Sequence, residues 1–386
     1  DYYLKNYDIE GLEDKYKEVY EVSKTLSDKK YDEGILAEKN AQTYYNAKDY
    51  KNAMQWLLKA DSYGNPSDKI GFYTGLMYEK GWGVEQNYTE AAKWYTKSAE
   101  QGNVNAQALL GNFFYVGQGV EQDYKKAIEW YTKAANQGYS NAQYNLGVIY
   151  KNGKGVEKDY KKAFEWYTKA SEQGNVKAQT GLGLLYATGE GVEKDINKAI
   201  EWYTKAAEKD DVYAQTNLGR IYAFEEGFDT NIQKGIEWMK KAVEGGYKST
   251  FYLALAYEKT GNYTDAYKYF QQSNETGKLG YYYYEGKIVE RDYGKAVENW
   301  ESYSKKIAVG NLHLAVAYYS GNGLPKDDAK ALLLIKGVIE KYKETNILKN
   351  YKENREYNKK HFPKYSKDED AFFEWLAKEH NIVFEK

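Results

Sequence analysis

The sequence predicts an all-α fold built from stacked helical hairpins, and three observations lead to this prediction. A segment of 36 residues recurs along the chain, so that one glycine register comprises Gly75, Gly111, Gly147, Gly183 and Gly219. Each copy contains two stretches whose apolar residues fall on one face of a helix. A loop with two glycines separates these stretches in most copies. Self-similarity at a period of about 20–50 residues indicates a solenoid, a propeller or an array, and two helices per period favour a solenoid.

The copy at residues 105–138 shows how one hairpin is encoded. In its first half, Ala106, Leu110 and Phe114 share one helical face. In its second half, one face carries Ala127, Trp130, Tyr131 and Ala134. Since neither helix can bury its apolar face alone, we predict that adjacent hairpins stack on each other.

The ends of the two helices are also marked in this copy. Gly117 and Gly119 permit a turn between the helices without steric cost. Asp123 is a favoured N-cap of the second helix, and Gly138 follows that helix, where a left-handed residue is common. The pattern therefore predicts two helices joined by a short loop.

Gly111 lies inside the predicted first helix, where glycine costs about 1 kcal/mol relative to alanine. Its recurrence indicates a packing reason, and we predict a close approach of the two helices with Ala127 and Ala134 opposite the glycine. The tryptophans in register are predicted to form the core; they are Trp94, Trp130, Trp166, Trp202 and Trp238.

These residues resemble the Sel-1-like repeat family, which is related to the tetratricopeptide repeats. The family pattern is Ala-x-x-x-Leu-Gly-x-x-Tyr, then Gly-x-Gly-Val, Asp-x-x-Lys-Ala-x-x-Trp-x-x-Lys-Ala-Ala and Gly. One copy matches it at Ala142, Leu146, Gly147, Tyr150, Gly153, Gly155, Val156, Asp159, Lys162, Ala163, Trp166, Lys169, Ala170 and Gly174. The resemblance implies a right-handed α/α superhelical solenoid whose first helices line the concave side.

The repeats divide the chain into five predicted segments. Residues 1–32 form an N-terminal helical cap, and residues 33–69 form a short tetratricopeptide-like hairpin without the Gly-x-Gly loop. Five Sel-1-like repeats fill residues 70–249, and degenerate tetratricopeptide-like or Sel-1-like copies fill residues 250–345. Residues 346–386 form a C-terminal helical cap.

The C-terminal segment differs from the repeats. Ser366 and Glu369 make a predicted capping box, and the helix that follows carries Phe372, Phe373 and Trp375. We expect this helix to close the last apolar face of the solenoid. A protruding helix that binds a partner is the alternative, and the sequence leaves both open.

Composition excludes several classes of function. The net charge is −2 and there is no basic block, which disfavours nucleic acid as a partner. No apolar run reaches the roughly 18 residues that a membrane span needs. The chain has no cysteine, which rules out disulfides and thiolate chemistry. We expect a monomer.

No catalytic, cofactor or metal site is predicted. The Gly-x-Gly loops recur as hairpin joints, so we interpret them as structural rather than as phosphate cradles. His313, His361 and His380 are the only histidines and lack the spacing of metal ligands. No serine lies in a Gly-x-Ser-x-Gly motif.

A binding surface is predicted on the first helices, at the positions that vary while the core positions repeat. In the tetratricopeptide-like relatives the equivalent stripe lines the groove. The candidate partner-binding residues are Asn112, Tyr115, Tyr144, Val148, Lys151, Thr180, Leu184, Tyr213, Thr216, Arg220 and Phe224. Free drift of exposed positions would also produce this variation, and Arg220 could instead pair within the chain with Glu225 or Glu226.

The sequence therefore predicts a non-catalytic scaffold that binds a protein or peptide partner in the concave groove. The resemblance points to an exported bacterial protein that acts in host interaction or envelope assembly. Export to the periplasm, cell surface or medium is the expectation, any signal peptide would lie outside these residues, and a cytoplasmic location stays open. The alternative function is a binder of β-lactam-like small molecules or a weak hydrolase.

Overall fold

The computed structural model describes residues 9–225, 231–248, 250–307, 310–341, 355–380 and 382. Within these ranges all regular secondary structure is helical and no strand is present. The chain forms two compact units, which we call unit 1 (Asp1–Lys205) and unit 2 (Ala206–Lys386). The predicted fold class, an all-α helical repeat solenoid, is confirmed.

Nine helices lie in the described part of unit 1, and α10 (Ile196–Ala207) contains the boundary. They are α1 (Ile9–Asn46), α2 (Tyr50–Ser62), α3 (Asp68–Lys80), α4 (Tyr88–Glu100), α5 (Val104–Val116), α6 (Tyr124–Asn136), α7 (Ser140–Asn152), α8 (Tyr160–Glu172) and α9 (Val176–Thr188). Each odd-numbered helix from α1 to α7 pairs with the even-numbered helix that follows it. Each hairpin then packs on the next one through α2 and α3, α4 and α5, α6 and α7, and α8 and α9.

The described part of unit 2 continues the same arrangement. Its helices are α11 (Val212–Phe224), α12 (Ile232–Glu244), α13 (Phe251–Lys259), α14 (Tyr263–Gln272), α15 (Thr276–Glu285), α16 (Tyr293–Lys306), α17 (Gly310–Ser320), α18 (Asp328–Lys341) and α19 (Pro363–His380). Residues 355–361 are also helical. The hairpins pair α11 with α12, α13 with α14, α15 with α16, and α17 with α18. Helix α19 departs from this order, because it packs on α15 and α17.

The loop between the two helices of a repeat needs both of its glycines. Gly117 ends α5 in the left-handed region with φ 75°, and its N–H donates to the carbonyl of Phe113. Gly119 also has a positive φ of 69°, and a Cβ there would collide with the backbone of Tyr88 in the preceding repeat. Asp123 caps α6 by accepting from the N–H groups of Lys125 and Lys126. The loop prediction is confirmed, and the second glycine serves contact between repeats.

The mid-helix glycine lies under a tyrosine ring in the four repeats from α3 to α10, whereas Gly219 on α11 lies against Met239. A Cβ on Gly111 would lie 2.7 Å from Cδ1 of Tyr131, and a Cβ on Gly147 would lie 2.5 Å from Cδ1 of Tyr167. A close approach of the two helices was expected and is present. The nearest atoms at Gly111 belong to the ring of Tyr131, which the prediction did not include, while the carbonyl oxygen of Ala91, the equivalent of Ala127, lies 3.2 Å from a Cβ on Gly75.

The tryptophans in register occupy the edge of the core and not its centre. Trp130 and Trp166 are half-buried, whereas Tyr131 and Tyr167 are each 2% exposed. The Nζ of Lys133 lies 3.8 Å from the ring centroid of Trp130, so this ring is covered by a cation from its own helix. The prediction that tryptophan forms the core was wrong by one residue, because the next side chain takes that place.

Helix α1 is continuous across residues 9–46. Its later part packs on α2, and near Gly34 the amide of Asn65 donates to the Gly34 carbonyl at 3.1 Å. In its earlier part the side chains of Val19, Val22 and Leu26 are exposed. The helix thus runs through the position at which the sequence suggested a change from cap to hairpin.

Adjacent substitutions in α8 separate the two aromatic roles. We expect Tyr167→Ala to cost about 3–5 kcal/mol, because it empties the space between the helices of one repeat. Trp166→Ala should cost clearly less, since this side chain is only partly buried. Thermal unfolding followed by circular dichroism measures both. Equal losses, or a larger loss for Trp166→Ala, would contradict this assignment of the core.

Candidate partner-binding surface

Candidate positions are numbered from the mid-helix glycine of each first helix. Positions −3, +1 and +4 follow one another at i, i+4 and i+7 and therefore share a helical face. In unit 1 we call the residues at these positions on α5, α7 and α9 the unit 1 stripe; they are Ala108, Asn112, Tyr115, Tyr144, Val148, Lys151, Thr180, Leu184 and Ala187. Helices α7 and α9 contact each other directly, which brings successive parts of the stripe together.

The apolar members of the unit 1 stripe are half-buried, except Ala108, which is buried. The ring of Tyr144 stacks on Tyr167 with centroids 5.9 Å apart, and Tyr115 meets Tyr124 edge-on at 5.3 Å. Val148 and Leu184 are also half-buried. These side chains therefore support the repeat and still present part of their surface to solvent.

The polar members of the unit 1 stripe differ in availability. Asn112 is exposed, but its Oδ1 accepts from the hydroxyl of Tyr131 at 2.6 Å and from Nδ2 of Asn145 at 3.4 Å. Burial raises the pKa of Tyr131, which keeps this hydroxyl a donor. Thr180 donates to the carbonyl of Val176 at 3.3 Å, while Lys151 is half-buried. Asn112 thus forms hydrogen bonds that support the fold, and the sequence alone could not distinguish it from Lys151 as a candidate for partner binding.

The predicted residues on α11 also differ. Tyr213 is 62% exposed and meets Tyr247 edge-on at 5.7 Å. Thr216 is buried and its hydroxyl donates to the carbonyl of Val212 at 2.7 Å, so this side chain is not presented to a partner. Phe224 is half-buried, with Nζ of Lys259 at 5.5 Å from its ring centroid.

Arg220 is exposed, and its guanidinium lies 4.3 Å from the ring centroid of Tyr252. A cation over an aromatic face stabilises by about 0.5–1 kcal/mol at an exposed site. Glu226, one of the two expected partners within the chain, lies outside the described residues. Arg220 thus has an intramolecular contact that the sequence did not suggest.

In unit 2 the equivalent positions of α15 are occupied by the C-terminal segment. Gly280 is the mid-helix glycine of α15, and a Cβ there would collide with the ring of Trp300. At position +1, Tyr281 stacks on Phe362 at 4.9 Å. At position +4, the hydroxyl of Tyr284 donates to Asp368.

The same holds for the neighbouring first helices. In α17 and α13 an alanine, Ala315 or Ala254, stands in place of the mid-helix glycine. Tyr319, at position +4 of α17, lies 5.4 Å from Phe372 and 5.1 Å from Trp375. Glu258, at position +4 of α13, is fully buried and accepts from the hydroxyl of Tyr357. We call Glu258, Tyr281, Tyr284 and Tyr319 the unit 2 stripe.

The C-terminal segment therefore neither protrudes nor only closes an end. Helix α19 begins at Pro363, which suits the first helical position. Ser366 and Glu369 lie inside the helix and are 2% and 0% exposed, so the predicted capping box was wrong. Phe373 and Leu376 are buried as well, which makes α19 part of the core of unit 2.

Two histidines join the C-terminal segment to the repeats. His313 is buried, and its Nδ1 lies 2.8 Å from the hydroxyl of Tyr365. Burial, together with the nearby charge of Lys278, lowers the pKa of His313 to about 3. The Nδ1 of His361 lies 3.1 Å from the hydroxyl of Tyr263. Burial also lowers the pKa of His361, to about 4.

Among the described residues, no group of three or more histidine, aspartate or glutamate side chains is placed to hold a metal ion. In the same residues, none of the helices is both long and apolar enough to cross a bilayer.

The family of this chain follows from its repeats. The sequence model described as Sel1 repeat matches residues 47–60, 72–103, 104–139, 140–175, 176–211, 212–247, 278–302 and 308–335, which is more than half of the chain. The chain belongs to the Sel1 repeat family. Proteins of this family are generally scaffolds for protein interaction and typically non-catalytic. The matches cover every hairpin from α3 to α12, and they become shorter in the remainder of unit 2.

Two solved structures of Sel1-like repeat (SLR) proteins resemble this chain. One is a protective antigen of uropathogenic Escherichia coli strains that displays an SLR fold; it is 25% identical, with a TM-score of 0.60 over 90% of this chain and 84% of that one. The other is a Sel1 repeat protein of Oxalobacter formigenes; it is 33% identical, with a TM-score of 0.54 over 61% of this chain and 96% of that one. Because the first likeness covers 90% of this chain, it includes residues of both units.

Curated relatives match only in part. The chain is 41% identical over 68 residues to the DAP3-binding cell death enhancer 1 of Rattus norvegicus, which is 18% of this chain and 13% of that protein. It is 42% identical over 62 residues to the chitin synthase regulator SKT5 of Saccharomyces cerevisiae, which is 16% of this chain and 8% of that protein. The chain thus spans a small fraction of the length of these relatives.

The lowered pKa of His313 predicts a pH dependence of unfolding. The unfolded chain binds the proton below about pH 6.5, whereas folded His313 stays neutral down to about pH 3. The free energy of unfolding is therefore not reduced by this group above pH 6.5. Below that pH it falls by about 1.4 kcal/mol per pH unit, because only the unfolded chain takes up the proton. His313→Gln should flatten the pH dependence of the thermal midpoint between pH 6.5 and 4.5.

The control is His380→Gln, because His380 is exposed on α19. It should keep the slope of the unchanged protein. A residual slope in the His313→Gln variant is expected from His361, whose pKa is lowered in the same direction. An identical slope in all three proteins would show that buried His313 does not govern the response.

Proposed function

We propose that this Sel1 repeat protein is a non-catalytic scaffold that binds a protein or peptide partner on the unit 1 stripe. The supporting observation comes from unit 2, where the equivalent positions already hold a polypeptide segment. Tyr281 and Tyr284 on α15 contact Phe362 and Asp368 of the C-terminal segment. The same repeat positions in unit 1 carry Asn112, Tyr115, Val148, Lys151 and Leu184.

The chemistry of the unit 1 stripe suits a protein partner. Tyrosine combines a large contact area with a hydrogen-bonding hydroxyl, and half-buried Val148 and Leu184 add apolar surface that a partner could cover. Lys151 supplies a cation beside this apolar surface. In unit 2, exposed Tyr213, with Arg220 and Phe224, remains a candidate set, whereas buried Thr216 is omitted.

Two paired substitutions test the stripe. The pair Lys151→Glu with Leu184→Ser removes one cation and one apolar contact from the unit 1 stripe. We expect it to weaken partner binding at least tenfold, about 1.4 kcal/mol, because both changes fall on the proposed contact surface. Binding of a partner captured from the native organism would be measured by calorimetry, and the melting curve would be recorded in parallel.

The matched control changes exposed residues on second helices. Lys161→Glu with Asn197→Ser alters the net charge by the same amount, and both residues are exposed on α8 and α10. This pair should leave affinity unchanged within about twofold. If the control pair abolishes binding and the stripe pair does not, the partner binds on the second helices and the proposed surface is wrong.

We further propose that the protein is an exported bacterial protein with a role in host interaction or envelope assembly. The support is its likeness, over 90% of this chain, to a protective antigen of uropathogenic Escherichia coli strains. Fractionation of the native cells should place the protein in the medium, on the cell surface or in the osmotic-shock fraction. Recovery only with cytoplasmic markers would contradict this proposal.

A further inference from the structure

The unit 2 stripe shows how this chain binds a helix. The buried face of α19 carries Tyr365, Glu369, Phe372 and Leu376, at i, i+4, i+7 and i+11. Tyr365, Phe372 and Leu376 are each fully buried. The helix therefore lies on the stripe through one apolar face, with aromatic side chains as its anchors.

Polar groups of the stripe position that helix. The carboxylate of Glu285, next to Tyr284, accepts from the backbone N–H of Tyr365 at 2.6 Å. Tyr365 lies in the first turn of α19, where an anion is favoured by the unpaired N–H groups. Tyr284 at position +4 donates to Asp368, three residues after Tyr365. Tyr365 and Asp368, an aromatic residue and a carboxylate at i and i+3 of α19, thus both contact the first helix α15.

The unit 1 stripe offers apolar, aromatic and hydrogen-bonding groups at positions +1 and +4. Position +1 carries Val148 on α7 and Leu184 on α9, and position +4 carries Tyr115 on α5 and Lys151 on α7. On α7 of unit 1, as on α15 of unit 2, an apolar or aromatic side chain at position +1 is thus followed at position +4 by a side chain that can bind a carboxylate. Lys151 stands where Tyr284 binds Asp368 in unit 2.

A helix suits this surface better than an extended peptide. An extended peptide whose backbone is buried against the receptor needs partners there for its N–H and C=O groups. The side-chain amide oxygen of Asn112 is already engaged by Tyr131 and Asn145, and the described residues contain no strand to extend. A helix satisfies its own backbone and needs only side-chain contacts, as α19 shows.

We propose that the partner of the unit 1 stripe is an amphipathic α-helix that carries aromatic anchors and an acidic residue three positions after one of them. This proposal rests on the proposed function. It adds to that function the conformation and the side-chain chemistry of the partner.

The probe is a random library of 18-residue peptides displayed on phage. It would be selected against the full chain and depleted on the Lys151→Glu, Leu184→Ser variant. We expect the recovered peptides to carry aromatic residues at helical spacing and an aspartate or glutamate at i+3 from one aromatic. Proline at the central position of a recovered peptide should weaken its binding at least tenfold, because proline breaks a helix.

The outcomes separate the two proposals. Stripe-dependent peptides that are extended or rich in proline, or that tolerate the central proline, would overturn the helix and leave the proposed function intact. Peptides that bind the stripe variant and the unchanged chain equally, or no recovered peptide at all, would count against the stripe itself. Recovered helices without an acidic residue would overturn the assignment of Lys151.

Discussion

The contact between a mid-helix glycine and a bulky side chain of the second helix is the constraint on which these repeats depend, and the bulky residue is tyrosine in the four repeats from α3 to α10. In the repeat of α7 and α8, the ring of Tyr167 crosses α7 so closely that a Cβ on Gly147 would lie 2.5 Å from it. A mid-helix glycine costs about 1 kcal/mol, whereas burying an aromatic side chain of roughly 150–250 Å² contributes several kcal/mol at about 25 cal/mol per Å². The ring therefore outweighs the glycine, and the two helices can approach closely.

This contact also places the candidate surface. The residue after the glycine must lie beside the ring, which is why Asn112 reaches the hydroxyl of Tyr131. In unit 2, Trp300 takes the place of the tyrosine over Gly280, and the next residue, Tyr281, lies beside it with ring centroids 5.8 Å apart. The core of each repeat thereby determines which side chain of the first helix is left for a partner.

Much of the fold could be predicted because the period, the loop glycines and the caps are local signals. The choice between Trp166 and Tyr167 as core residue could not be made from periodicity, since adjacent residues differ by only about 100° around a helix. A usable signal was present, however. A lysine follows each tryptophan at i+3, and the Nζ of Lys169 lies 4.4 Å from the ring centroid of Trp166. A cation on a ring needs access to solvent, which marks the tryptophan as the outer residue.

The sequence predicted which positions of the first helices could bind a partner, but it did not predict that the C-terminal segment covers them in unit 2. Tyr284 and Asp368 are 84 residues apart, and the C-terminal segment lacks the repeat pattern, so nothing local in the sequence pairs them. Thr216 and Ala108 both occupy position −3 and are buried, whereas Thr180 at the same position is half-buried. Half-buried Tyr144 at the same position is large enough to extend beyond its neighbours.

The two stripes help to explain why the residues at the stripe positions differ from repeat to repeat. Variation alone could reflect drift or recognition, because both leave the core positions unchanged. In unit 2 the varied positions are used: Glu258 is fully buried, pairs with Lys278 at 3.1 Å and accepts from Tyr282 and Tyr357. A buried charge is costly unless it is paired and hydrogen-bonded, so this residue is held by its contacts and is not free to drift. Variation at these positions is therefore compatible with recognition of a specific segment, and α7 in unit 1 carries Val148 and Lys151 at the positions where α15 carries Tyr281 and Tyr284.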